Sequence, residues 1–260
     1  MSVTPPDVAA RKRAVQYSVA PAGRVPGAQA PAREGMDRID HSSFNWRALE
    51  NNNRWVRRLL PLMRGRVLDL GCGTAPYRED ILAVAGEYVG VDWPGTIHDT
   101  TRVDVFADLS RPLPFADACA DTVTVFKVLE HLQEPGEFLR ECGRVLRPGG
   151  HIVILVPFLW QVHEAPHDYF RFTRFGLGYL LSRADFADIT VHEKTGFWEM
   201  WALKWNYHTR RYARGPLRLL LIPFWWTGQV AGPRLDRLFP HPEMAASYAA
   251  HARKPVRGGT

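Results

Sequence analysis

The residues best able to do chemistry fall in two stretches. One is 161–173, QVHEAPHDYFRFT, which packs two histidines, two acids, one arginine and three aromatics into thirteen positions. His163 or His167 could act as a general base, oriented by Asp168. His131, in Val128-Leu129-Glu130-His131-Leu132, is a further candidate base. The same side chains also suit a second role, satisfying one another and bracing the loop. His163 and His167 stand four apart with Asp168 beside them, a Zn²⁺-compatible spacing on a helix. Pro166 lies between them and opposes a helix, so no metal is expected.

The other stretch is residues 67–77, VLDLGCGTAPY. Gly71 and Gly73 allow a tight turn and let a ligand approach the backbone. A dinucleotide fingerprint would carry a third glycine where Pro76 stands, and no Lys-Ser/Thr pair follows as in a phosphate-binding loop. Asp69 precedes the glycines, which suits a cationic or amino-bearing ligand better than a pyrophosphate. Nineteen residues past Gly73 comes Asp92, placed to accept both hydroxyls of a ribose. Trp93 beside it offers a face for a purine. Asp108, in Ala107-Asp108-Leu109, can accept from an exocyclic amine.

These residues need a scaffold that brings them together. Apolar runs at 66–70, 87–91, 103–106, 121–126 and 151–156 read as strands. Helices are expected at about 76–85, 134–147 and 174–183, with a strand at 188–193 and a closing one at 248–253. One amphipathic helix or two short ones fit 44–63. Strands alternating with helices mean a doubly wound, mostly parallel α/β sheet. Ligands in such sheets sit beyond the carboxyl ends of the strands, where these acids cluster.

VLDLGCGT, GVDW, ADL, VLEHL and LRPGG occur in the order and spacing of class I S-adenosylmethionine-dependent methyltransferases. The chain resembles that family over roughly 60–197, nearest its small-molecule, type 11 group. The resemblance implies a Rossmann-like seven-stranded sheet, S-adenosyl-L-methionine as cofactor and methylation of a small-molecule acceptor. Carried over by motif, Asp69 and the backbone of Gly71 and Gly73 face the methionine moiety and Asp92 the ribose hydroxyls, with Cys72, Tyr77 and Trp93 also expected to touch the cofactor. Asp108 and the Leu109 amide face the adenine, and Phe126 and Lys127 close the amino-acid end. Ala75 departs from the pattern, where many members carry glycine. Oxygen on a small-molecule, lipid-linked or sugar-linked compound is the expected acceptor. The alternatives are a catalytically silent cofactor-binding protein, or N- or C-methylation of a quinone-like lipid.

The 260 residues divide into a disordered tail (1–36), a core (37–197), a helical, Trp-rich cap inserted before the last strand (198–245), and a final strand and tail (246–260). Net charge is +6 overall, but the core carries −4 and the flanks are basic. That, with Lys127-Val128-Leu129-Glu130 where a nucleic-acid methyltransferase would carry Asn/Asp-Pro-Pro-Tyr/Phe, argues against a nucleic-acid partner. The insertion reads as a pocket lid, a peripheral membrane contact through 198–240, or a dimer interface. The oligomeric state is left open. Three cysteines without a CxxC pair, and no apolar leader, suggest a reducing, cytoplasmic setting, with membrane association in reserve.

Overall fold

In a computed structural model, residues 39–96 and 99–256 are described. The tail expected at 1–36 lies outside them. The chain opens with α1 (Trp46–Leu59), then β1 (Arg66–Leu70), α2 (Arg78–Leu82), β2 (Glu87–Asp92) and β3 (Val105–Phe106). Next come β4 (Ala120–Phe126), α3 (Pro135–Val145), β5 (Leu146–Pro157), α4 (Arg174–Arg183) and β6 (Ala187–Glu193). The insertion forms α5 (Phe197–Arg210) and α6 (Pro216–Leu238), and β7 (Ser247–Arg253) closes the sheet.

Seven strands lie in the order β3-β2-β1-β4-β5-β7-β6. The first five pair in parallel, whereas β7 runs antiparallel between β5 and β6. Alternation along each buried strand sorts side chains into two layers. Leu68, Leu70, Ile152 and Ile154 join the core beneath α3 and α4. Val67, Val153 and Leu155 join the opposite core with Val56 and Leu59 of α1. Strand order reverses between β1 and β4, so the carboxyl ends of β1, β2 and β4 open on one crevice.

Four elements differ from the expected bounds. The helix after the glycine turn keeps only five residues, Arg78–Leu82, and the third strand only two. The third helix stops at Val145, and Leu146–Pro157 is one strand. Ala120 pairs with Leu146 and Thr122 with His151, so Pro148-Gly149-Gly150 is taken up as a bulge rather than a helix stop. Helix α6 also continues through Pro223 and Pro233.

The insertion is tied to α1 as well as to the sheet. Asn51 of α1 donates to Glu199 Oε1 (2.9 Å) and to the Lys194 carbonyl (2.8 Å). The Arg47 backbone N–H donates to Gln229 Oε1 of α6 at 2.9 Å. Helix α5 has no side-chain cap of its own. Asp236 of α6 supplies one, accepting from Trp198 N (2.8 Å), Glu199 N (3.0 Å) and Gly196 N (3.2 Å). The two helices approach closely at Gly232, where a Cβ would lie 2.9 Å from the Glu199 Cα.

Candidate active site

The glycine turn leaves β1 and is pinned to β2. Gly71 N and Cys72 N both donate to the Val91 carbonyl, at 2.8 and 3.0 Å. Gly71 has φ +77, and a Cβ there would sit 2.2 Å from Val128 Cγ2. Only glycine meets both demands. Gly73 N donates to Asp92 Oδ2 at 2.5 Å, and Trp93 N donates to Asp92 Oδ1 at 2.6 Å. Asp92 thus ties the tips of β1 and β2 together at the crevice. Trp93 beside it is 46% exposed, its ring edge-on to His167 at 5.8 Å. Ala75 keeps a left-handed backbone, φ +51, with its methyl fully buried.

Asp69 is 2% exposed, and its oxygens accept from Thr124 Oγ1 (2.6 Å) and Tyr88 Oη (2.7 Å). These bonds cross-link β1 to β4 and β2 and hold the carboxylate buried near the carboxyl end of β1. Burial pushes its carboxyl up, against the pull of these two hydrogen bonds. Burial, with Asp69 and Asp92 nearby, pushes the Cys72 thiol up to about 12, which leaves it inert. Asp108 accepts from the backbone and hydroxyl of Ser110, which hold its carboxyl below the usual range. Leu109 lies in the core. Tyr77 and Phe126 meet edge-on at 5.6 Å. Lys127, at the end of β4, has φ +61, and burial pushes its ammonium down.

The stretch after β5 folds back over the same crevice. Arg171 grips Asp168 with two bonds, of 2.6 and 2.7 Å, and donates to the carbonyls of Trp160, Gln161 and Phe170. Asp168 also accepts from His163 N at 2.8 Å, and the Arg171 bonds hold its carboxyl well below the carboxylate range. Asp168 therefore braces this loop, and its Oδ2 lies 3.4 Å from His163 Nδ1. His167 turns away, its Nδ1 3.2 Å from Tyr169 Oη. His163, His167 and Asp168 do not share a helix, so the helical metal spacing does not form.

A different set assembles instead. His131, Glu130 and His163 converge, with one ligand atom from each lying within 4.8 Å of the others. The His131 and His163 rings meet edge-on at 4.9 Å. Glu130 is fully buried, in the 3-10 turn Leu129–His131 that follows β4. It stood in a quoted motif, yet its type alone gave no reason to single it out.

His163 and Glu164 also line a cavity of about 240 Å³, with Lys127 and Trp160. Asn45 before α1, Leu49 and Asn52 of α1, and Leu203 and Tyr207 of α5 line it as well. The α1 wall was missed in the sequence. Its signal was Asn51-Asn52-Asn53 inside a helix, since asparagine is a poor helix former and two of the three are buried. Lys127 lines the cavity, and its chain neighbour Val128 packs against Gly71, so the cavity lies close to the glycine turn.

Residues 68–154 match a family model described as a methyltransferase domain. A probable S-adenosylmethionine-dependent methyltransferase of Mycolicibacterium smegmatis is 37% identical over 123 residues, covering 42% of this chain and 48% of that protein. A ubiquinone biosynthesis O-methyltransferase of Azorhizobium caulinodans is 33% identical over 108 residues, covering 38% of this chain and 43% of that protein. The chain thus spans under half the length of these curated relatives. A solved S-adenosylmethionine-dependent methyltransferase from Archaeoglobus fulgidus shares the fold, with a TM-score of 0.53 at 21% identity over 80% of this chain and 94% of that one.

Proposed function

Because residues 68–154 belong to the class I S-adenosylmethionine-dependent methyltransferases, in the type 11 group, we propose that the whole chain methylates an oxygen of a small-molecule, lipid-linked or sugar-linked acceptor. The observation that carries this is the Asp92 carboxylate, tied to Gly73 and Trp93 at the joined tips of β1 and β2, next to a separate cavity lined by His163.

The crevice fits S-adenosylmethionine. It offers a carboxylate at its rim for a diol, an exposed indole for a purine and a close-approach glycine turn. Asp92 would hold the ribose hydroxyls, with Trp93 against the base, and Asp108 and the Leu109 amide would take the adenine edge. Asp69 with Gly71, Cys72 and Gly73 would line the methionine end, with Tyr77, Phe126 and Lys127 closing it. When bound, S-adenosylmethionine supplies a methyl carbon whose bond to sulfur breaks as the bond to the acceptor oxygen forms, leaving S-adenosylhomocysteine. His163 would receive the hydroxyl proton, oriented by Asp168, while α1 and α5 hold the acceptor in line.

The outer faces of α5 and α6 favour an apolar or lipid-linked acceptor. Leu219 and Leu220 are more than 70% exposed, and Trp201 and Trp205 stack at 5.7 Å on the surface. Arg210, Arg211, Arg214 and Arg218 flank them, a pattern suited to an anionic membrane surface. Among the described residues no helix is long and apolar enough to cross a membrane. Cys72, Cys119 and Cys142 are free thiols, which supports the reading of a reducing, cytoplasmic setting.

The test is transfer of radiolabelled methyl from S-adenosylmethionine to solvent-extracted small molecules. A labelled product lost in His163→Ala, with cofactor affinity kept, is expected. Cofactor binding with no labelled product from any extract would make this a silent binding protein and overturn the proposal.

A further inference from the structure

Glu130 is fully buried, and among the described residues neither of its carboxylate oxygens has a hydrogen-bond partner. Lys127 and Arg171 lie near enough to act on its charge, yet neither gives it a hydrogen bond, and a buried carboxylate with no direct partner is costly. The His131 Nε2 is also buried without a partner. It lies 4.0 Å from Glu130 Oε1 and 3.8 Å from Glu164 Oε2. His163 Nε2 lies 3.8 Å from the same Glu130 oxygen.

Hydrogen bonding fixes which ring nitrogens face inward. His131 Nδ1 is 2.5 Å from the His167 carbonyl oxygen, a pure acceptor, so Nδ1 carries the proton and Nε2 presents a lone pair. His163 Nδ1 faces two acceptors, Gln161 O at 3.3 Å and Asp168 Oδ2 at 3.4 Å. Arg171 Nη2 is also 3.4 Å from His163 Nδ1, but it already donates to both of those acceptors and asks nothing of the ring. A proton on His163 Nδ1 leaves its Nε2 lone pair aimed at Glu130. Two imidazole lone pairs and one carboxylate thus converge on one point. A single proton bridges two of the three; a cation satisfies all of them.

We propose that Glu130, His131 and His163 bind one divalent first-row transition cation, such as Zn²⁺ or Mn²⁺, with Glu164 as a fourth ligand. The donor set carries two nitrogens and no sulfur, which suits these ions and not Mg²⁺ or Ca²⁺, whose sites are built of oxygen. Ligands about 2.1 Å from such an ion stand roughly 3.4 Å apart in tetrahedral geometry. The observed separations of 3.8–4.0 Å close to that with small side-chain rotations. The outer contacts are already those of a metal site: each histidine directs its second nitrogen to a carbonyl or carboxylate, and Arg171 locks Asp168.

The cluster sits where an ion would be useful. His163 and Glu164 line the acceptor cavity, so an open coordination position would face the acceptor. Val128, two residues before Glu130, packs on the Gly71 turn. The role of the ion, unlike its binding, rests on the proposed methyl transfer: it would take the acceptor hydroxyl as a ligand and lower its pKa, so that the oxygen attacks as an alkoxide or phenolate. His163 would then be a ligand rather than the base, and the hydroxyl proton would leave to water.

The test is calorimetric titration of the chelator-treated full chain with ZnCl2 and with MnCl2, together with the absorption spectrum of the Co²⁺ form. One equivalent should bind, and Glu130→Gln and His163→Ala should each weaken binding by more than about tenfold. His241→Ala, away from the cluster, should leave it unchanged. Circular dichroism and the urea midpoint establish that each variant is folded; the part-buried His163 serves if Glu130→Gln does not fold. No binding to the wild type, or equal binding to folded His131→Ala/His163→Ala, overturns the site. S-adenosylhomocysteine binding by the metal-free chain tests the cofactor reading separately, so either idea can fail without the other.

Discussion

At Gly71, backbone and packing impose the same demand. Its φ of +77 excludes side chains at a cost of about 1–2 kcal/mol, and a Cβ 2.2 Å from Val128 Cγ2 forces that side chain aside. Gly71→Ala should therefore lower stability by about 2–4 kcal/mol, read as a lower midpoint in urea. An unchanged midpoint would mean the turn is not held as described. The glycine turn and Asp92 were legible because residue type and spacing carry them in the sequence. Asp69 was legible as an acid, but its bonds to Tyr88 of β2 and Thr124 of β4 were not, since neither partner's type singles it out. Likewise nothing local in the sequence links Glu130 to His163. They meet because the chain returns after β5 and Tyr169 N and Phe170 N donate to the Glu130 carbonyl.

At the scale of elements, α5 depends on α6 for its start. Gly196 offers no side chain at the cap, and Asp236 accepts from three N–H groups of the first turn. Asp236→Ala should cost about 1–2 kcal/mol and raise amide exchange at 197–200. Unaltered exchange there would show that the cap carries no weight. Helix α5 lines the cavity proposed for the acceptor through Leu203 and Tyr207, so on that reading a frayed start should also loosen acceptor binding. Hydrophobic periodicity placed each strand and helix of the sheet, because burial on two faces or one leaves a clear pattern. It misplaced ends where tertiary contacts decide them. The bulge at Pro148-Gly149-Gly150 extends β5 because β4 offers Ala120 as a partner to Leu146. The packing of α1 on the insertion was not legible, because polar bonds such as Asn51 to Glu199 leave no periodic trace.

Across the molecule, strands β5, β7 and β6 bring His151, His251 and His192 together. Burial, reinforced by His192 and His151, pushes the His251 imidazole down to about 4 from its ordinary 6.5. The unfolded chain therefore binds more protons between these values, so this contribution to stability is intact above pH 6.5 and is lost as pH falls toward 4. The urea midpoint should drop between pH 7 and pH 5, and His251→Gln should flatten that drop; an equal slope in the variant would refute the linkage. The larger claim is that the tips of β1 and β2 form one adenosyl-ligand site commanded by Asp92. Calorimetric titration of the full chain with S-adenosylhomocysteine tests it most directly. One equivalent should bind, Asp92→Ala should weaken it by more than about tenfold, or about 1.4 kcal/mol, and NADH should not bind. Failure of S-adenosylhomocysteine to bind, or undiminished affinity in folded Asp92→Ala, would contradict the account.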